Sequence, residues 1–217
     1  MIFKNRLDAG IKLSEVFKLP KNSVIFAIPR GGVPVGYAIA KTQKIPMDII
    51  VVRKLPIPFN PEAGFGAITI DGKVVLNPSF NYLFSQIPIE DIAREVLQEV
   101  KRRDKIYRNN APYKNLKGKT AVVVDDGFAS GYSALAAFEM LKNLNPDKII
   151  AIAPVCPKDT KELLLNYFDD VYCLIEPDKK PFAVASFYED FHDLSDDEVL
   201  ELIEDLKENN LWWVDYE

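Results

Sequence analysis

The chain has 217 residues, 48% of them apolar, and 32 acidic side chains against 27 basic ones leave a net charge of −5. That size and composition suit one globular domain with a sizeable core, and the acidic balance argues against nucleic acid as the main partner. No apolar run approaches the ~20 residues of a membrane span, and the opening MIFKNRLDAG lacks a secretory signal's apolar core and cleavage site, so a cytoplasmic protein with no membrane partner is expected.

In chain order, strand-like runs occupy 24–28, 49–52, 121–124, 149–153 and 171–175, and they alternate with helical patterns near 34–42, 89–107, 134–144 and 158–167. Short, β-branched and nearly unbroken apolar runs indicate strands covered on both faces, so the expected fold is α/β, a doubly wound and mostly parallel sheet. In such sheets ligands bind beyond the carboxyl ends of strands where connections diverge. The first run is followed by Pro29-Arg30-Gly31-Gly32, a turn with one guanidinium and two glycines that expose backbone amides to an anion. The second is followed by Arg53-Lys54, a cation pair that is costly at a buried strand end unless solvated or matched to anions.

Next comes IPFNPEAGFG, which Pro56, Pro58 and Pro61 stiffen, with Gly64 and Gly66 as candidate hinges and Asn60 and Glu62 as polar groups able to swing inward. Asp71-Gly72 inside FGAITIDGKVVLN predicts a β-hairpin beside the main sheet. The helix over 89–107 presents an apolar stripe of Ile89, Ile92, Ala93, Val96 and Val100. Lys101, Arg102, Arg103, Lys105 and Arg108 crowd its end, where cations complement the helix dipole and solvate the surface.

The most informative stretch is AVVVDDGFASGYS at 121–133. A β-run ends in Asp125-Asp126, and a loop of small residues then leads into a helix. Unpaired amides at that helix N-terminus favour a dianion. The acid pair is better suited to accept hydrogen bonds from hydroxyls than to face phosphate, so a vicinal diol on a phosphorylated sugar fits. Cys156 and Cys173 form no CxxC and have no histidine near, which points to buried reduced thiols rather than zinc. His192 is the only histidine and lies in the aromatic segment FAVASFYEDFHDLSDDEV, while Trp212 and Trp213 follow the last helix. Aromatics so near a terminus dock on the protein's own surface or on a subunit.

The 121–133 stretch resembles the phosphoribosyl diphosphate (PRPP) motif of type I phosphoribosyltransferases. Together with FAIPRGGVPVG, VVRKLPIPFNPEAGFGAI and FAVASFYEDFHDLSDDEV, the resemblance runs from residue 28 to about 199 and points to a widespread group of predicted phosphoribosyltransferases with no defined acceptor. It implies that Asp125 and Asp126 hold the ribose 2′- and 3′-hydroxyls. Gly127, Phe128, Ala129, Ser130, Gly131, Tyr132 and Ser133 would bind the 5′-phosphate.

Arg30, Gly31 and Gly32 would bind pyrophosphate, with an unusual peptide geometry at Arg30–Gly31, and Arg53-Lys54 would clamp the same group. The catalytic set is then Arg53, Lys54, Asp125 and Asp126. The implied ligands are PRPP, Mg2+ held by Asp125 and Asp126 through water, and a small nitrogen acceptor of nucleobase type. The resemblance also implies one domain over 1–217, with a core at about 20–176 and a hood and C-terminal helix at about 177–217. In that hood Phe182, Phe187, Tyr188 or Phe191 would stack on a base or pack in the core. A homo-oligomer is permitted but not specified. A non-catalytic PRPP sensor of the same fold is the alternative, and the Arg-Lys pair with its loop favours the enzyme. A general nucleotide-binding domain is weaker, since neither GxGxxG after the first strand nor GxxxxGK[ST] occurs.

Overall fold

In a computed structural model that describes residues 2–178 and 182–215, the chain forms two sheets. Its elements are α1 (Arg6–Val16), β1 (Ser23–Ala27), α2 (Gly32–Gln43), β2 (Met47–Ile49), β3 (Val52–Ile57), β4 (Asn60–Thr69), β5 (Val74–Leu76), α3 (Ile89–Arg108), β6 (Thr120–Val124), α4 (Tyr132–Leu141), β7 (Lys148–Val155), α5 (Lys158–Leu165), β8 (Asp170–Ile175) and α6 (Asp196–Glu208). The larger sheet is parallel throughout, in the order β2-β1-β6-β7-β8. The smaller is antiparallel, in the order β3-β4-β5. No helix among the described residues is long and apolar enough to cross a membrane. The hood span expected at about 177–217 includes 179–181 and 216–217, which lie outside the described residues.

The unbroken apolar runs follow from burial on both faces. In β6, Val122 and Val124 join Leu13 of α1, Ile39 of α2 and Ile203 of α6 in one core cluster. Ala121 and Val123 join Leu135 and Leu141 of α4 and Leu164 of α5 in the other. Alternate side chains of a strand point to opposite faces, so a central strand here has no polar position to spare. The sheet's β2 edge is also covered, because the Met47 amide donates to the Leu211 carbonyl and the Trp213 amide to the Met47 carbonyl. The terminal tryptophan segment thus docks on the chain itself. Cys156 and Cys173 are both free and buried.

Three expectations are corrected. Residues 49–52 are not one strand: β2 ends at Ile49, the Ile50 amide still donates to the Ala27 carbonyl at 3.0 Å, and Val52 begins β3 of the other sheet. All four residues are buried, so the change of sheet leaves no trace in the hydrophobic pattern. Arg53 and Lys54 therefore lie within β3, and the segment after them is its ladder with β4. Gly64 and Gly66 pair with Pro56 and Leu55 in that ladder, next to its register shifts, rather than lying in a loop. The Asp71-Gly72 turn joins β4 to β5 as the sequence pattern requires.

The cations of α3 are not all surface groups either. The Arg108 side chain is 1% exposed, and its Nε and Nη1 donate to Asp48 and Asp104 at 2.7 and 2.9 Å. Its guanidinium stacks on Tyr113 with Cζ 3.6 Å from the ring centroid. This cluster ties the end of α3 to β2. Burial still pushes the Asp48 carboxyl above its usual range, against the pull of Arg108. Removing one member of such a buried pair leaves the other uncompensated, so Arg108→Ala is expected to cost about 3–5 kcal/mol in urea unfolding. Arg94→Ala, which removes a surface pair 69% and 73% exposed, is expected to change stability by less than about 0.5 kcal/mol.

Candidate functional site

The chain leaves β1 through α2 towards β2 on one side, and leaves β6 through α4 towards β7 on the other. Their carboxyl ends therefore open a crevice at the topological switch point. The two ends are tightly joined, the Ile28 amide donating to the Val124 carbonyl at 2.9 Å. A cis peptide occurs here at Pro29–Arg30, one position before the expected Arg30–Gly31. The Arg30–Gly31 bond is trans, and Gly31, at φ −57° and ψ −34°, caps α2, where the Gly32 amide donates to the Ile28 carbonyl. Gly31 is needed for close approach as well, since a Cβ there would lie 2.1 Å from Asp126 Oδ2.

Beyond β6, Asp125 Oδ1 accepts the Asp126 amide at 2.8 Å, and Asp126 Oδ2 accepts Arg6 Nε at 3.0 Å. Burial first, and the neighbouring Asp126 charge second, push the Asp125 carboxyl well above the ordinary range. The following loop is anchored at Phe128, whose ring is buried and whose amide donates to the Val155 carbonyl at 2.9 Å. That amide is therefore committed to the protein. Thr160 Oγ1 braces the loop through the Ala129 carbonyl at 2.6 Å. Gly131 turns into α4 at φ +88°, a conformation few other residues adopt. No side chain caps this helix, so the first-turn amides stay unpaired, and among the described residues those of Ala129 and Ser130 also lack a protein acceptor.

Two connected cavities meet at this loop. One, of about 730 Å³, is lined by Ile28 and Pro29, by Arg53, Lys54 and three prolines of the β3–β4 arm, by Glu95, Glu99 and Arg103 of α3, and by Asp125 and Ser133. The other, of about 350 Å³, runs between Gly64 and Gly66 of β4 and the 127–133 loop, and shares Lys54, Asp125 and Ser133 with the first. The structure thus gathers Arg53, Lys54, Asp125 and the loop, although the cations come from the other sheet.

Arg53 has no hydrogen-bonding or ion-pairing side chain among the described residues. Its guanidinium is held below its usual range by burial and then by Arg103. Lys54 Nζ donates to the Glu62 carbonyl at 2.7 Å. Glu99 is held down to about 2, first by its hydrogen bond from Arg102.

Arg30 and Asp126 line neither cavity. The Arg30 Nε points instead to the Tyr107 hydroxyl at 3.2 Å and to Asp196 at 3.4 Å, and Tyr107 also donates to Asp196. Of the hood aromatics, Tyr188 is buried against Phe3, Phe191 lies under Arg6, and Phe187 packs near Phe182. Phe182 lines a third cavity, of about 530 Å³, beside Ser130 and Tyr132. Glu62 lines the second cavity, and Asn60 pairs with Ile57 in the β3–β4 ladder. His192 bridges Asp190 and Glu198 at 2.8 and 2.7 Å, and these bonds, the Asp190 one first, raise its ring above the usual value. Arg6, Thr160 and the carboxylates of α3 are not readable from the sequence as site residues. Arg6 in particular meets Asp126 only through the folded chain.

The phosphoribosyl transferase domain matches residues 68–192. The chain belongs to the type I phosphoribosyltransferase family. Two Mycobacterium tuberculosis proteins, each named "Putative phosphoribosyl transferase" (MT0597 and Rv0571c), are 38% identical over 207 residues, 94% of this chain and 46% of theirs. The chain therefore spans about half the length of these relatives. The crystal structure of TT1426 from Thermus thermophilus superposes with a TM-score of 0.72 at 30% identity, over 93% of this chain and 97% of that one. The parallel main sheet flanked by helices, with a small antiparallel sheet beside it, is the α/β fold of the family.

The raised Asp125 carboxyl binds its proton more tightly in the folded than in the unfolded chain. Folded stability therefore falls as pH climbs from the ordinary carboxyl range through the raised value. An amide at this position would keep the acceptor for the Asp126 backbone N–H without the charge. Ligand-free Asp125→Asn is expected to melt higher than wild type at pH 8, by about 2–4 °C per kcal/mol relieved, and to approach it near the acid end. A variant no more stable than wild type at pH 8, in a thermal melt, contradicts this reading.

Proposed function

We propose that the chain transfers the ribose 5-phosphate group of PRPP to a small nitrogen acceptor of nucleobase type and releases pyrophosphate. The observation that carries this reading is Arg53, a half-buried cation in no salt bridge or hydrogen bond among the described residues, lining a cavity with Asp125 and Ser133 that adjoins the one lined by the loop with its unpaired amides. A desolvated cation and an amide nest in two adjoining cavities that share Asp125 match a sugar that carries an anion at each end.

In this reading the amides at 129–134 hold the 5′-phosphate, and Asp125 accepts from the ribose hydroxyls. The anomeric C–O bond breaks with its electron pair going to pyrophosphate, and the acceptor nitrogen lone pair forms the new C–N bond. The intervening state is oxocarbenium-like, so the protein acts by positioning and by neutralising the leaving group, here with Arg53 and Lys54.

The donor set fits magnesium carried by the substrate. No cluster of three or more metal-binding side chains occurs among the described residues, and Mg2+ is commonly held by one or two carboxylates together with waters and substrate phosphates. Asp125, the one of the two expected acids that lines the cleft, would hold it through water, while Asp126 is taken up by Arg6; when bound, the ion would offset the diphosphate charge. A PRPP sensor would need the amide nest and Asp125 but neither Arg53 nor Lys54, and their place in the cleft favours the enzyme.

A pyrophosphate-release assay with PRPP, magnesium and a panel of nucleobases tests the reading. Release is expected with at least one base, and Arg53→Ala is expected to lower kcat by about 10²-fold or more with an unchanged circular dichroism spectrum. Undiminished release by that variant rejects the site, and tight PRPP binding without release for any base points to the sensor.

A further inference from the structure

Arg6 lies outside the residues matched by the family domain, on a helix that no motif announces, yet it reaches the acid pair. Its Nε donates to Asp126 Oδ2 at 3.0 Å, and its Nη1 donates to the His192 carbonyl at 2.8 Å. Its guanidinium lies over the Phe191 ring, with Cζ 4.0 Å from the centroid. The two charged side chains are only 9% and 14% exposed. The oxygen that Arg6 grips is also the one wedged against Gly31, where there is no room for a side chain. From the opposite side, the Tyr188 hydroxyl donates to the Asp126 carbonyl at 2.6 Å. Asp126 is thus fixed through both its side chain and its backbone, and of the acid pair Asp125 alone lines the cleft.

We infer that Arg6 is a positioning residue for the ribose site: by pairing with Asp126 against Gly31, it sets the loop so that Asp125 faces the sugar hydroxyls. This inference rests on the phosphoribosyl reading above. Arginine suits the task because its planar fork serves two acceptors while its face stacks on an aromatic ring. A lysine ammonium supplies the charge but not that combination. The two acids therefore have different duties, one facing ligand and one anchoring the loop.

Titration calorimetry of wild type, Arg6→Gln and Arg6→Lys with PRPP and with inorganic pyrophosphate, each in magnesium, tests this. Arg6→Gln is expected to weaken PRPP binding by about tenfold or more and Arg6→Lys by less, because the buried carboxylate loses its partner or its geometry. Pyrophosphate presents no hydroxyls to the acid pair, so its affinity should stay within about twofold of wild type in both variants. Wild-type PRPP affinity in Arg6→Gln, or equal losses for the two ligands, overturns the inference. Should Arg6→Gln not fold, Arg6→Lys decides: a loss confined to PRPP supports it, and no loss or an equal loss overturns it. A wild-type protein that binds no PRPP rejects the phosphoribosyl reading itself, a result distinct from PRPP binding that ignores Arg6.

Discussion

Two adjacent carboxylates at the inner end of a buried strand are the constraint around which this molecule is arranged. Charge in such a place is costly unless it is paired, hydrogen-bonded or neutralised by a proton. All three remedies occur within a few ångströms. Asp126 is paired with Arg6, Asp125 accepts the next backbone amide, and Asp125 also has its proton affinity raised. The absence of side chains at Gly31 and Gly32 lets the β1 end lie against this loop, so the crevice exists because the acids are accommodated. A carboxyl whose proton affinity is raised by burial and by a like charge, lining a cleft, is the usual mark of a site built to bind.

The guanidiniums sort by the same logic. Arg108 is buried and doubly paired, and fastens α3 to β2. Arg102 and Arg103 share Glu99, and Arg102 also reaches Asp196, joining α3 to the start of α6. Arg30 is turned towards Asp196 and Tyr107. Each of these cations has its anion inside the protein. Arg53 makes no salt bridge among the described residues, and burial and then Arg103 make its charge less favourable, with Glu99 offsetting this only in part. An anion entering the cleft would offset both its desolvation and that mutual repulsion, adding to what Glu99 supplies.

What is legible in the sequence is what local chemistry encodes. The parallel strands stand out because both faces are covered, and the Asp-Asp loop stands out because its acids, glycines and following helix occur within one short window. The change of sheet between Ile49 and Val52 is invisible there, since every residue across it is buried and apolar in either arrangement. Helix α1 is hidden for a related reason. Its buried face consists of Arg6, Ala9, Gly10, Leu13 and Ser14, while Leu7 and Ile11 stay exposed, so the apolar period points away from the packed side. The Arg6–Asp126 contact joins residues 120 apart in the chain, and no spacing rule carries that information.

Of the two parts open to the hood aromatics, stacking on a base or packing in the core, Tyr188 takes the second. Phe3 exchanges backbone hydrogen bonds with this segment, its amide donating to the Phe187 carbonyl and its carbonyl accepting from the Glu189 amide, while the Phe3 ring packs on Tyr188. Tyr188 then reaches the Asp126 carbonyl, and Phe191 supports Arg6. Most of this aromatic cluster is therefore spent on fixing the acid loop, and the N-terminal segment belongs to the same unit. That leaves Phe182 as the hood aromatic facing a cavity next to the loop. Such a division separates the physical task of holding an acidic loop from recognition of whatever lies beyond it, because the first uses buried partners and the second uses a surface that can change without disturbing them.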